Sequence, residues 1–149
     1  MSLSREQIIR RAALELAEAA SARSQGPLAD AARELEGAPE PASGEASVLL
    51  LDVTRLATDG AVDVPSASSA SRTIGLTLAF DACTAVEQLG ARIDRLIGPF
   101  GVIDVCPEGL VLVEVALNVS ARDLQERSTA PLLAGPGLGP VQRAAGEGA

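Results

Sequence analysis

The stretch that most constrains this chain runs from Gly101 to Leu133, GVIDVCPEGLVLVEVALNVSARDLQERSTAPLL. Two apolar runs, Gly101 to Cys106 and Leu110 to Ala116, flank Pro107-Glu108-Gly109. Proline presets φ and glycine tolerates a positive φ, so the chain turns there. Neither run alternates cleanly with polar residues. The pattern therefore predicts a β-hairpin covered on both faces, in the interior of a sheet shared with Val48 to Val53. Ser120 with Asp123 forms a candidate capping box for a helix over Ala121 to Ser128, and Ala130-Pro131 stops it.

The rest of the chain reads in shorter pieces. Ser4 to Ala22 is the clearest helix, with Ser4 and Gln7 as a second capping box. Ile8, Ile9, Ala12, Ala13, Leu16 and Ala20 recur at helical spacing along one side. Pro27 to Leu35 predicts a second helix, since proline suits a first turn. Ser47 to Thr54 reads as a buried strand, Thr58-Asp59-Gly60 as a turn, and Ala61 to Val64 as a short extended piece. Pro65 to Arg72 has linker composition. Thr73 to Phe80 alternates apolar residues as a half-buried strand does, and Ala85 to Ile97 favours a helix. The expected organisation is a helical segment over residues 1–36, a linker over 37–46, an α/β domain over 47–133 and a disordered tail over 134–149. In that tail Gly135, Gly137 and Gly139 mimic a phosphate loop but lack the strand before and helix after that such a loop needs.

Composition narrows the partners. The net charge is −8 and aromatics are 1% of the 149 residues, so clustered cations and stacking faces for nucleic acid are missing. No apolar run reaches membrane-spanning length, and nothing near Met1 resembles a signal-peptide core. A cytoplasmic protein without a membrane partner is expected. With no histidine, and with Cys83 and Cys106 far apart, no metal site is expected and the thiols read as buried and reduced. A core of Val, Leu, Ile and Ala buries less area per residue than an aromatic one, so modest stability is expected unless an oligomeric partner covers part of the surface.

The run Val102-Ile103-Asp104-Val105-Cys106-Pro107-Glu108-Gly109-Leu110-Val111-Leu112-Val113-Glu114, closed by Ser128-Thr129-Ala130-Pro131, resembles the C-terminal end of the B subunit of two-subunit coenzyme A transferases of the succinyl-CoA:3-oxoacid and 3-oxoadipate type. Ser4, Arg5, Glu6, Ile8, Arg11, Ala13, Glu15 and Leu16 resemble the first helix of those subunits. Thr58-Asp59-Gly60, Cys83-Thr84 and Asp94-Arg95 are similar to shorter phrases between. The resemblance implies an α/β fold, a truncated CoA-transferase-like sheet with a C-terminal β-hairpin and flanking helices. It also implies an A subunit as partner and no cofactor beyond the coenzyme A thioester as substrate.

In that family a glutamate in a Ser-Glu-Asn-Gly phrase at a strand end attacks the acyl-CoA, after a Gly-x-Gly-x-Pro segment. The resemblance places both between Leu16 and Val48, and neither phrase is there. Glu45 is the nearest imitation, but it precedes a strand and reads as a solvated glutamate. Asp104, Glu108 and Glu114 belong to the matched phrase, with Glu114, inside an apolar run, expected to be buried and to show a raised pKa or a hydrogen-bonded partner. Cys106 has no base near it in sequence. The catalytic and coenzyme-binding residues stay unassigned at this level. Two readings remain open: a CoA-transferase B-type subunit acting with an A subunit, and a catalytically inactive subunit serving as an interaction module or surviving as a non-functional remnant.

Overall fold

A computed structural model describes residues 2–41, 45–65, 70–88, 90–117 and 119–140, the side chains of 136–140 excepted. A seven-stranded mixed sheet runs through the molecule. Its strands are β1 (Ala22–Gln25), β2 (Ala46–Asp52), β4 (Ala70–Leu76), β6 (Arg95–Gly98), β7 (Gly101–Cys106), β8 (Gly109–Val115) and β9 (Leu132–Pro140), side by side in that order. The first four are parallel, β6, β7 and β8 form an antiparallel meander, and β9 returns parallel to β8. Helices α1 (Arg5–Leu14) and α2 (Pro27–Glu36) pack on one face, where Ile8, Ala12, Leu16 and Ala32 meet Leu50, Ile74 and Ile97. The small parallel pair β3 (Leu56–Ala57) and β5 (Cys83–Thr84) lies outside the main sheet. Leu56 and Cys83 share the second core with Leu51, Phe100, Leu112 and Leu124, the last from α3 (Ala121–Arg127). This is an α/β fold.

The hairpin forms where the two apolar runs place it, with Gly109 at φ 129° after the Pro107-Glu108 turn. It shares its sheet with β2 but is separated from it by β4 and β6. Coverage of the two faces is unequal. Leu110 and Leu112 are buried in the second core, whereas Val111 and Val113 are only half-buried. Ser120 accepts from the Asp123 N–H at 3.0 Å, as its cap position predicts. The residues of the stop hold two segments together, because the Thr129 hydroxyl donates to Thr84 Oγ1 and the Thr129 N–H to the Cys83 carbonyl. Two phrases singled out separately in the sequence thus touch.

Several expectations are corrected. The first helix has its full Ser4–Gln7 capping box, but it ends at Leu14 and not at Ala22. Leu16, Ala17 and Ala19 donate to carbonyls three residues back, a tightening that lets the chain turn into β1 at Ala22. β1 then pairs with β2, so the N-terminal segment belongs to the same sheet as the α/β part. The described residues of Ala85 to Ile97 are not helical. Val62 donates to Ala91 O, Ala91 to Val64 O and Ile93 to Gly60 O, and Arg95–Gly98 is inserted between β4 and β7. Non-local backbone pairing overrides the local propensity there.

The polar stretch from Pro65 ends sooner than its composition suggests, because Ala70 to Arg72 already belong to β4. Residues 66–69 lie outside the described part, as do 42–44 of the first linker. β4 stops at Leu76, leaving Leu78 exposed. The Gly/Pro-rich stretch after Leu133 continues β9 to Pro140. That strand is the sheet edge, the one place where prolines do not interrupt a ladder on both sides. Residues 141–149 of the expected tail, and with them any account of its order, lie outside the described part.

Candidate functional site

The carboxyl ends of β1, β2 and β4 line up, since Gln25 pairs with Leu51 and Asp52 with Leu76. Ligands of open α/β sheets bind in the crevice at such strand ends. A cleft of about 390 Å³ opens here, lined by Arg5 at the start of α1, Pro27 and Leu28 at the start of α2, Asp52-Val53-Thr54, Val64, Leu76 and Leu78.

Local sequence builds the cleft in a simple way. β1 runs into Gly26-Pro27, and proline starts α2 without needing an N–H. Gly26 stands at φ 109°, and a Cβ there would lie 2.5 Å from the Asp52 Cγ. Only glycine permits this approach. No side chain of Gly26 can cap α2, and Asp52 does so from the end of β2. Its Oδ2 accepts from the Leu28 N–H at 2.9 Å and its Oδ1 from the Ala29 N–H at 2.8 Å. Burial pushes the Asp52 carboxyl above its ordinary value, with Asp30 acting in the same direction. The two helix N–H groups and Arg5 pull it down but do not reverse the shift.

Beside it, Asp63 is held below its ordinary value. Partial burial alone would raise it, but the Thr54 hydroxyl and the N–H groups of Thr54 and Arg55 all donate to it. The Thr54 hydroxyl is thereby committed to Asp63. The cleft wall is otherwise aliphatic, apart from Arg5 and Asp52.

The carboxylates singled out in the sequence do not meet in this cleft. Asp104 and Glu114 belong to a separate buried ion cluster. Arg11, 3% exposed, reaches Glu114 with Nε at 3.0 Å and Nη2 at 2.5 Å, and Glu15 with Nη1 at 2.7 Å. Arg95 takes Asp104 in the same two-pronged way at 2.5 and 3.0 Å and shares Glu15 Oε2 at 3.0 Å. Arg72 approaches Glu15 Oε1 at 3.2 Å. Desolvation works against the Arg11 charge, but its carboxylate partners prevail and its pKa is raised; Asp104 and Glu15 hold that of Arg95 up as well. The partner expected for Glu114 is thus Arg11, and the cluster ties α1 to β4, β6, β7 and β8.

Glu108 is exposed on the hairpin turn, and Glu45 is exposed just before β2, at the opposite end of that strand from Asp52. Cys83 is buried, and desolvation pushes its thiol up to about 12. Cys106 is half-buried, and its thiol is also raised, by desolvation and by Glu108 and Asp104. Neither offers a ready thiolate. Among the described residues no cluster of metal-ligating side chains occurs, and no helix is long and apolar enough to cross a membrane.

Comparison with solved structures places this architecture. The decarboxylase AibA/AibB superposes with a TM-score of 0.76 at 12% identity, over 95% of this chain and 90% of that one, and a single-residue variant of it with 0.77. The acyl-CoA transferase YdiF of E. coli O157:H7, in a thioester complex with CoA, gives 0.70 at 14% identity, over 95% of this chain and 43% of that one. Glutaconate coenzyme A-transferase of Acidaminococcus fermentans gives 0.67 at 8% identity, over 93% and 88%. The fold is that of the coenzyme A transferases. No protein-family model matches the chain, and no curated protein matches it in sequence.

Within that fold the element missed at the level of sequence is Asp52. Its signal was present: an acidic residue closing the apolar run Val48-Leu49-Leu50-Leu51, and a Gly-Pro pair opening a helix. What joins them is parallel pairing of β1 with β2, which no local pattern reveals.

Proposed function

We propose that this chain is a B-type subunit of a cytoplasmic coenzyme A transferase, moving CoA between an acyl-CoA and a carboxylic acid together with an A-type subunit, with Asp52 as the reacting carboxylate. The observation that carries the reading is the position of Asp52: a half-buried carboxyl, raised above its ordinary value, at a strand end on the wall of a 390 Å³ cleft. Carboxyl groups displaced in this way concentrate where chemistry is done.

The chemistry balances with this one side chain. The ionised Asp52 oxygen attacks the thioester carbonyl, the carbon–sulfur bond breaks, and a mixed acyl–aspartyl anhydride forms with CoA thiolate released. The thiolate attacks the aspartyl carbonyl, freeing the first acid and leaving an aspartyl–CoA thioester. The second acid repeats the two steps in reverse. No redox partner or metal is required. The Leu28 and Ala29 N–H groups, already aimed at the Asp52 oxygens, are placed to stabilise the oxyanion when the aspartyl carbonyl is attacked.

The test is CoA exchange from succinyl-CoA, acetyl-CoA and hexanoyl-CoA to a panel of acids that includes acetoacetate and hexanoate, with the full chain alone and with an A-type subunit. Intact-mass detection of the enzyme-bound thioester accompanies the assay. The reading expects a CoA-sized adduct on the parent chain and none on Asp52→Asn. An adduct that persists in Asp52→Asn overturns the assignment of Asp52. Absence of both adduct and exchange, with folded protein and partner present, overturns the reading.

One observation favours the second reading, a non-catalytic subunit. Both Asp52 oxygens are engaged in capping α2, which is also what a purely structural aspartate would do. The mass experiment separates the two, since a cap forms no adduct.

A further inference from the structure

Acids for such a site differ in what they carry besides the reacting carboxylate. A second carboxylate, a 3-oxo group or a hydroxyl each needs a donor or a cation of its own, because a polar group moved from water into an apolar wall without a partner is strongly disfavoured. The cleft wall offers very little of this kind. Pro27, Leu28, Val53, Val64, Leu76 and Leu78 are aliphatic, and the Thr54 hydroxyl is already donated to Asp63. The Leu28 N–H is already donated to Asp52. Arg5 is the single cation among the described residues of the wall. Unlike Arg11 and Arg95, it takes part in no ion pair among the described residues. A guanidinium is the group best shaped to hold one carboxylate in two parallel hydrogen bonds.

We infer that the cleft selects a short, unsubstituted aliphatic monocarboxylic acid, its hydrocarbon chain against Leu28, Val53, Leu76 and Leu78 and its carboxylate held by Arg5 beside Asp52. The inference rests on the transferase reading for its role as acid substrate. It narrows that reading away from dicarboxylic and 3-oxo acids, for which the described residues of the wall offer neither a second cation nor an uncommitted hydroxyl. Leu78, 56% exposed, stands where the chain of a longer acid emerges from the cleft. Arg5 also offsets the repulsion that two carboxyl groups in one small site would otherwise meet.

Calorimetric titration of the full chain with hexanoate, succinate and acetoacetate tests this without any need for turnover. Hexanoate is expected to bind saturably, with succinate and acetoacetate at least tenfold weaker. A single apolar methylene in such a pocket already accounts for about 10-fold or more. Arg5→Gln should weaken hexanoate at least tenfold, Arg5→Lys should restore most of that loss, and Leu78→Asn should reduce the preference for hexanoate over butyrate. Arg5 and Leu78 are both exposed, so circular dichroism of the variants should match the parent.

Absence of saturable hexanoate binding, succinate or acetoacetate binding as tightly as hexanoate, or an unaffected Arg5→Gln overturns the inference. Its failure is distinguishable from failure of the transferase reading. Hexanoate binding with no CoA adduct on any acid removes the reaction and leaves the pocket. A CoA adduct without preference for hexanoate leaves the reaction and removes the pocket.

Discussion

Two places where the described part of this molecule holds buried or half-buried charge are built on opposite terms. In the cluster around Arg11 and Arg95, each guanidinium grips one carboxylate with two nitrogens and shares Glu15 with the other. At the cleft, Asp52 has backbone N–H groups but no guanidinium bonded to it, and Arg5 stands on the same wall. The first arrangement raises the pKa of its two buried arginines. The second raises the pKa of an acid and so leaves its charge poorly supported. Full pairing makes a strut, whereas incomplete pairing leaves a group free to be completed by a ligand.

The largest expected effect breaks the strut. Arg11→Ala removes the two-pronged grip on Glu114 and one partner of Glu15 in an almost fully buried position. Removing one partner of a buried ion pair costs about 3–5 kcal/mol, and Arg72 and Arg95, which stay at Glu15, place the loss toward the lower value. Urea denaturation should show a loss of that size. A loss under about 1 kcal/mol would mean that the cluster is wet and contributes no more than a surface pair. Arg11→Met, which keeps the volume but not the charge, should be no better unless Glu114 is replaced as well.

A smaller effect is expected at Gly26, beside the cleft. Gly26→Ala introduces a Cβ 2.5 Å from the Asp52 Cγ and at φ 109°, so both the backbone and the carboxylate must move. Strain of this kind costs about 1–3 kcal/mol. Stability should fall by that amount, and any Asp52-dependent reaction should fall further, since the two N–H bonds to the carboxylate are displaced. Equal losses in Gly26→Ala and Asp52→Ala, with no loss of exchange in either, would make the Gly26–Asp52 contact a helix cap and nothing more.

The contrast between the two regions also explains what could be read from the chain and what could not. The hairpin, the Ser120 cap, the helix from Pro27 and the Ser4–Gln7 box are local devices, each complete within a few residues, and each forms. Glu114 inside an apolar run announced a buried partner, though not that Arg11 supplies it from 103 residues away. β6 and β9 were misjudged because their own residues do not specify them. Arg95–Gly98 is held by β4 and β7, and Leu132–Pro140 by β8. The cleft was missed for the same reason: it exists only when β1, β2 and β4 are in parallel register. Val111 and Val113 face the half-covered side, so a buried charge is better tested at Leu112 than at either valine.

Titration gives a finer separation of Asp52 and of Asp63, which accepts from Thr54 and Arg55. Asp52 has a folded pKa above its ordinary 3.8, so the folded chain binds the proton more tightly than the unfolded one. Its contribution is most favourable below 3.8 and declines as the pH rises through the raised value. Asp63 has a folded pKa below 3.8, so its contribution is present above 3.8 and is lost as the pH falls through the lowered value. Urea midpoints between about pH 3 and 7 should therefore show Asp52→Asn gaining relative to the parent as the pH rises. Asp63→Asn should approach the parent as the pH falls. Slopes of the same sign in the two variants would contradict the opposed environments described for them.

The smallest expected effect belongs to Glu45, and it bears most directly on which end of β2 carries the site. Glu45 is exposed and lies immediately before Ala46, where β2 begins, whereas Asp52 closes the same strand on the cleft wall. The strand rises about 3.3 Å per residue, so seven positions separate the two carboxylates by roughly 20 Å. A side chain at Glu45 has no path to a substrate bound beside Asp52. Glu45→Gln removes a solvated charge at a position away from any buried partner, and such changes stay within about 0.5 kcal/mol. Neither the unfolding midpoint nor CoA exchange should move. If exchange is lost in Glu45→Gln while Asp52→Asn retains it, the reacting carboxylate stands at the amino end of β2. The cleft at the carboxyl end would then be a structural gap between α1, α2 and the sheet.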